Sequence, residues 1–245
     1  MESSERLRLS INCLAYFSFS WLVLGWITWV AKGCKAIMPF ISDLDLYQPG
    51  DIIFTLGAMG SGIFAAWCLF ELHAFRHKII VNNSHGIFWI VFNYVALVPG
   101  IIAATACFRI GTAPWNVDMI AHGTFAMDIF YGGVYWGVLS TILTIKLLKG
   151  HENFFKIISI RVFTASVAVI SLWQMIATVA NVWVEDFDWD AWAELTKNMQ
   201  EFCTNNTYPL LNEAALWEWL LIGSILATVL TFKPEINLFV NGEEE

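Results

Sequence analysis

Six apolar stretches, each long enough to cross a lipid bilayer, constrain the fold of this chain more than any other sequence feature. An α-helix needs about 20 apolar residues to span the hydrocarbon core. Because lipid cannot satisfy free backbone N–H and C=O groups, such stretches are expected to be helices rather than strands of an open sheet. The stretches cover residues of about 10–31, 52–74, 86–108, 119–147, 157–184 and 213–232. We therefore predict an all-α, polytopic six-helix transmembrane bundle that forms one domain over residues 1–245.

The composition supports this prediction and argues against several other classes of protein. The chain is 58% hydrophobic and 14% charged, whereas soluble domains average roughly 45–50% apolar and about 25% charged residues. The net charge is −8 and Lys and Arg form no dense cluster, so we predict no nucleic-acid partner. The sequence has no Gly-rich phosphate loop and no zinc-type Cys/His spacing, so we predict neither a cofactor nor a metal site. The first stretch is too long and too rich in Trp for a cleaved secretory signal, and we predict that it is retained.

The distribution of Lys and Arg predicts the orientation of the bundle, because cytosolic loops are enriched in these residues. The side that holds the amino terminus carries nine of them, and the opposite side carries four. The nine are Arg6, Arg8, Arg76, Lys78, Lys146, Lys149, Lys156, Arg161 and Lys233. The four are Lys32, Lys35, Arg109 and Lys197. We therefore predict that both termini are cytosolic and that the long loops 33–51 and 185–212 are lumenal or extracellular.

The two long loops carry features typical of an oxidising compartment. Cys34 and Cys203 lie one in each loop, and we predict a disulfide between them. Cys107, near the same end of the third span, is a rival partner, and unpaired thiols are the alternative. The sequon that begins at Asn205 predicts a glycan on this side. Trp and aliphatic residues at helical spacing predict a short interfacial helix within 185–212.

Polar residues inside the spans are the candidate functional residues, since an ionisable group in a membrane is costly. Glu218 lies near the start of the last span, between two tryptophans. Asp118 and His122 are four residues apart on one helix face, so they could pair. A proton or ion path, or a lipid hydrolase, would use His122, Asp128 and Glu218. No catalytic spacing is visible, so the interpretation we favour is a polar clamp that fixes helix packing or a lipid headgroup.

Four segments resemble the DRAM family, the damage-regulated autophagy modulators. The stretch PFISDLDLYQPGDIIFTLGAMGSGIF (39–64) resembles the first outer loop and second span of that family. AHGTFAMDIFYGGVYWGVLSTIL resembles its fourth span, IRVF its fifth-span start and EWLLIGSILATVLTF its closing span. The wider superfamily includes the FGF-receptor-activating protein and the GPI-anchor lipid remodelling factor. The positions that match are Pro39, Ser42, Asp43, His122, Glu218 and Trp219.

The resemblance implies six helices with both ends in the cytosol, and a role in membrane lipid handling, autophagy or scaffolding. It implies no catalytic residue. We accordingly expect a non-enzymatic accessory or regulatory protein in lipid organisation, lipid transfer or autophagy, working as a subunit of a larger membrane complex. Its expected partners are membrane lipids and other membrane proteins, lipid-transfer machinery among them. The expected location is the endoplasmic reticulum, lysosome, endosome or plasma membrane. The alternative function is a lipid-modifying enzyme or an ion or lipid transporter.

The predicted site is a polar clamp or headgroup site at the outer end of the last span. It comprises Glu218, His122, Asp128, Ser42 and Asp43. The Glu218 carboxylate is expected to accept a hydrogen bond from Ser42, to pair with His122, or to bind a lipid amine.

Overall fold

A computed structural model shows a bundle of long helices. It describes residues 3–36, 39–151, 153–184, 197–198, 202–204 and 209–241. Within these ranges every regular element is helical and none is a strand. The helices are α1 (Ser3–Ala31), α2 (Gly50–Asn82), α3 (Ile87–Ile110), α4 (Met119–Leu148), α5 (Phe154–Val184), α6 (Pro209–Leu230) and α7 (Phe232–Asn241), with a short 3₁₀ helix at Ile41–Asp45 between α1 and α2.

The six predicted spans are confirmed as six helical segments long and apolar enough to cross a membrane, the last combining α6 with most of α7. Several helices extend past the predicted boundaries. Helix α2 was predicted to end at residue 74 but continues to Asn82, and α5 begins at Phe154 rather than at 157. The orientation of the termini stays a prediction. The predicted interfacial helix and the glycan at Asn205 concern residues that lie mostly or wholly outside those described.

Close helix packing depends on glycines where backbones meet. A Cβ atom on Gly62 of α2 would lie 2.7 Å from the Ala104 carbonyl oxygen of α3. A Cβ on Gly132 of α4 would lie 2.6 Å from the Pro99 carbonyl oxygen of α3. Only a residue without a side chain allows these approaches, so α2, α3 and α4 pack tightly in chain order. Helix α5 packs mainly against α6.

One end of the bundle, which we call the disulfide end, holds the 3₁₀ helix and the Cys34–Cys203 disulfide. This is the predicted bridge, and Cys107 remains a free thiol that contacts the Ala58 carbonyl. The Lys35 N–H also donates to the Cys203 carbonyl at 3.0 Å. The opposite end, which we call the terminal end, holds the start of α1 and helix α7.

Candidate functional site

A cavity of about 290 Å³ lies at the centre of the bundle, and all six spanning helices and the 3₁₀ helix contribute to its lining. On α6 the lining runs from Glu218 to Val229. At 1.5 Å per residue, this corresponds to about 16 Å along the helix axis. The lining is almost entirely aliphatic and aromatic, and it includes no Lys, Arg or Asp. Its polar members at the disulfide end are Ser42, His122 and Glu218.

Glu218 is placed at the cavity by the first turns of α6 and is 7% exposed. The Ile41 N–H donates to its Oε2 at 2.7 Å. The neighbouring Trp219 indole donates to the Pro39 carbonyl at 2.7 Å. Adjacent residues of α6 thus hold the loop before the 3₁₀ helix over the end of the cavity. Glu218 therefore accepts a hydrogen bond from the Ile41 backbone and not the expected one from Ser42. Without Glu218, the Ile41 N–H would be buried without an acceptor.

His122 lines the cavity from the first turn of α4 and is also buried. Its Nδ1 lies 2.7 Å from the Ala113 carbonyl oxygen. A carbonyl accepts only, so Nδ1 carries the proton and Nε2 presents a lone pair in the neutral ring. The pairings expected with Asp118 and Glu218 do not form. Asp118 instead caps α4, its carboxylate accepting the Ala121 N–H at 2.9 Å, which satisfies a free amide of the first turn.

Asp43 and Asp45 lie in the 3₁₀ helix outside the membrane spans, and both are buried. The Asp43 carboxylate accepts the Phe40 N–H at 3.0 Å. Burial raises the pKa of Asp43 from 3.8 to about 7, although that hydrogen bond acts in the opposite direction. Burial, helped by the charge of Asp51, also raises the pKa of Asp45 to about 7. The acidic side chains of Asp43, Asp45 and Glu218 at the disulfide end are therefore all buried away from water.

The structure brings four of the five predicted site residues to one place. Ser42, His122 and Glu218 line the cavity, and Asp43 interacts electrostatically with Glu218. Asp128 does not join them. It lies on the exposed face of α4, away from the cavity. The reason is the helical period: the cavity-facing residues of α4 include 122, 126, 129, 130 and 133, and residue 128 falls outside that face.

A second polar cluster, which the sequence analysis did not predict, lies near the terminal end. Glu235 of α7 forms ion pairs with Arg76 at 3.0 Å and with Arg161 at 3.1 Å. All three side chains are at most 2% exposed. The Thr144 hydroxyl donates to Glu235 at 2.9 Å. The two guanidinium groups lie over the Phe232 ring, with centroid distances of 4.8 Å for Arg76 and 3.7 Å for Arg161.

This cluster was missed because hydropathy treats a charged residue as the edge of a span. Arg76 lies just past the predicted second span and Arg161 near the start of the predicted fifth span, and both were counted only toward the orientation. Without these two residues the count is seven basic residues against four, so the predicted orientation does not change. The available signal was Glu235, an acidic residue among the apolar residues of a short helix that follows the predicted last span, 213–232.

The described residues contain no group of three or more His, Cys, Asp or Glu side chains that could hold a metal ion. The comparisons with known proteins point to one family. The sequence profile of the Frag1/DRAM/Sfk1/Cwh43P N-terminal domain matches residues 8–239, nearly the whole chain. No curated protein and no solved structure matches the chain at a significant level. The match agrees with the six-span architecture and with the four segments whose resemblance was noted above. The chain belongs to the Frag1/DRAM/Sfk1/Cwh43P family of multi-pass membrane proteins.

Proposed function

We propose that this protein is a non-enzymatic lipid-binding membrane protein that holds a single lipid in its central cavity. The observation that carries the proposal is the cavity itself, about 290 Å³ in volume and apolar over nearly its whole lining. Sites for small ligands typically measure ~300–1,000 Å³ and are lined mainly by apolar side chains with a few polar groups. The cavity has this character and lies within a protein that the bilayer surrounds.

The cost of leaving such a cavity empty supports the proposal. In protein cores an unfilled cavity costs about 24 cal/mol per Å³. Water is a poor occupant, because an apolar cavity of this kind stays dry. The surrounding membrane supplies hydrocarbon chains, and these match the lining.

The polar end of the cavity indicates which lipid headgroups fit. Glu218 offers a carboxyl group, and His122 offers the acceptor Nε2. Among the residues that line the cavity no Lys or Arg would stabilise a phosphate. The chemistry therefore favours a head that donates hydrogen bonds, which means a hydroxyl or an amine. A lipid of this class would have its head at the disulfide end and its hydrocarbon toward Val229.

A role in lipid organisation or lipid transfer follows from such a site. The family membership supports a membrane role of this general kind. The involvement in autophagy and the organelle stay predictions. The rival function, a lipid-modifying enzyme or a transporter, would combine Glu218 and His122 with Asp128. The position of Asp128 on the outside of α4 argues against that three-residue arrangement.

The proposal is tested by filling the cavity. Ala126 lines it, and Ala126→Phe would occupy space that the lipid needs. Ala74 is exposed on α2, so Ala74→Phe is the matched control. Purified protein in vesicles would be cross-linked with photoactivatable analogues of cholesterol, diacylglycerol, sphingosine and phosphatidylserine. We expect labelling of cavity residues by one of the first three, reduced about tenfold in Ala126→Phe and unchanged in Ala74→Phe.

The three analogues distinguish the headgroups, because cholesterol and diacylglycerol present a hydroxyl, sphingosine adds an amine, and none of them carries a phosphate. Labelling confined to outward-facing residues, or equal labelling of both Phe variants, would overturn the proposal. Preferential labelling by phosphatidylserine would overturn the headgroup assignment alone.

A further inference from the structure

The exposed face of α4 carries a row of polar side chains, which we call the α4 polar stripe: Thr124, Asp128, Tyr131 and Tyr135. Successive members are four, three and four residues apart, so they lie along one face of the helix. Tyr131 is 40% exposed and Tyr135 is 58% exposed. Their rings stack, with centroids 6.2 Å apart and an interplanar angle of 20°. The stripe belongs to the outside of the bundle and takes no part in the cavity.

The stripe lies at a depth where lipid tails would surround it. Arg109, at the disulfide end of α3, stacks on Phe125 of α4 with its guanidinium 4.4 Å from the ring centroid. Lys146 lies near the other end of α4. About 20 residues between Phe125 and Lys146 are enough to fill the hydrocarbon core. Asp128 is therefore about one turn inside the core, and Tyr135 is near the midplane.

A carboxylate and two tyrosines at this depth are unfavourable on a surface that faces lipid tails. Carboxylates in spans almost always face the bundle interior, a water-filled cavity or a partner. Tyrosines concentrate at the membrane interface rather than at the midplane. Among the described residues no basic side chain lies within ion-pair distance of Asp128, and Arg109 is held over Phe125. Thr124 satisfies its hydroxyl by donating to the Ile120 carbonyl at 2.8 Å, so the unmatched groups are Asp128 and the two tyrosines.

We propose that the α4 polar stripe docks a transmembrane helix of another protein that carries a Lys or Arg opposite Asp128. Charge complementarity identifies this occupant. A second copy of the chain does not fit, because two copies in one membrane share an orientation. Their two-fold axis would run along the membrane normal and would place Asp128 against Asp128. The tyrosine hydroxyls would add hydrogen bonds across the same interface. The inference is independent of whether the cavity holds a lipid.

Site-specific photo-crosslinking in native membranes tests the inference. A photoreactive residue would replace Tyr135, and the matched control would replace Val98 of α3, which is 57% exposed near the middle of its span. We expect an adduct from position 135, and none from position 98, with a membrane protein whose cross-linked span contains Lys or Arg. Asp128→Leu should reduce the adduct about tenfold. Because Asp128 is exposed, this variant should keep the Cys34–Cys203 disulfide and elute as one species.

A defined probe gives a second measurement that does not depend on the natural partner. Polyleucine transmembrane peptides, with either Lys or Leu at the depth of Asp128, would be mixed with the purified protein in phosphatidylcholine vesicles. Energy transfer should show about tenfold tighter association of the Lys peptide, lost in Asp128→Leu. Equal binding of the two peptides would overturn the inference. So would adducts at position 135 with lipid alone, with a second copy, or with a span that lacks a basic residue.

Discussion

Two buried glutamates, one near each end of the bundle, differ in what surrounds them. Glu235 near the terminal end lies between two arginines and accepts a threonine hydroxyl. Glu218 near the disulfide end accepts one backbone N–H and faces an apolar cavity. Both are less than 10% exposed. Burial alone therefore does not define a functional carboxylate; the difference lies in whether the protein itself supplies the counter-charge.

The two ends of the bundle are therefore expected to have different roles. The Arg76–Glu235–Arg161 cluster joins α2, α5 and α7, and its members are fully engaged with one another. Such a cluster holds helices in place. At the disulfide end, Glu218 fastens a loop with one hydrogen bond and still lines a space that a ligand could enter. We therefore expect substitutions near the terminal end to affect folding, and substitutions at the disulfide end to affect binding.

The largest effect is expected from Glu235→Gln. This substitution keeps the shape of the side chain but leaves two buried arginines without a counter-charge. Breaking a buried ion pair costs about 3–5 kcal/mol, measurable as a loss of unfolding free energy in detergent. The control is Glu71→Gln, because Glu71 pairs at 3.2 Å with Arg6, whose side chain is 46% exposed, and such pairs contribute about 0–1 kcal/mol. Equal losses in the two variants would remove the proposed distinction between the ends.

A more gradual effect is expected from pH at the disulfide end. Burial raises the pKa of Asp43 from 3.8 to about 7. Between these values the folded protein keeps a proton that the unfolded chain releases, so stability should fall as the pH rises from about 4 to 7 and level off above it. One such group can contribute at most about 1.4 kcal/mol for each pH unit in this range. Asp45 acts in the same direction. The free energy of unfolding should depend less on pH over this range in Asp43→Asn than in the wild-type protein. A wild-type protein that gains stability as the pH rises through this range would contradict the assignment.

The smallest effect on stability is expected from Glu218→Gln. The amide oxygen can still accept the Ile41 N–H, and no buried cation loses its partner. The free energy of unfolding should therefore change by less than about 1 kcal/mol. Lipid labelling of the cavity should nevertheless weaken, since Gln replaces one of the two carboxyl oxygens with an NH₂ group, which cannot accept a hydrogen bond from the lipid head. Glu218→Leu should cost more stability, because it removes the acceptor of a buried amide. A Gln variant as unstable as Glu235→Gln would mean that both glutamates are structural.

Much of the fold could be predicted because it depends on local composition. Six long apolar stretches have one way to satisfy their backbones in lipid, and the structure has six corresponding helical segments. The Cys34–Cys203 disulfide was also predictable, since two cysteines fell in loops on the same predicted side. At the candidate site, the approximate position of Glu218 followed from its place between two tryptophans at the start of a span. The hydrogen-bond partner of Glu218 did not follow from the sequence. Every residue except Pro has a backbone N–H, and the sequence does not show which of them lies beside Glu218.

The residues that sequence reasoning misplaced depend on packing between helices. Arg76 and Arg161 look like residues at the ends of spans until Glu235 is brought beside them from more than 70 positions away in the chain. Asp128 and His122 are six residues apart on one helix, yet one faces outward and the other faces the cavity. The sequence alone does not show which side of α4 meets its neighbours.

The sequence by itself determined that this chain is a six-span helical membrane protein of a recognisable family, since span length, hydropathy and motif order are properties of consecutive residues. Only the tertiary structure decided which buried charges are neutralised, where the cavity lies and which polar residues face the lipid. These properties arise from distances between residues far apart in the chain. Helix packing sets those distances, and many sequences with the same hydropathy profile could set them differently.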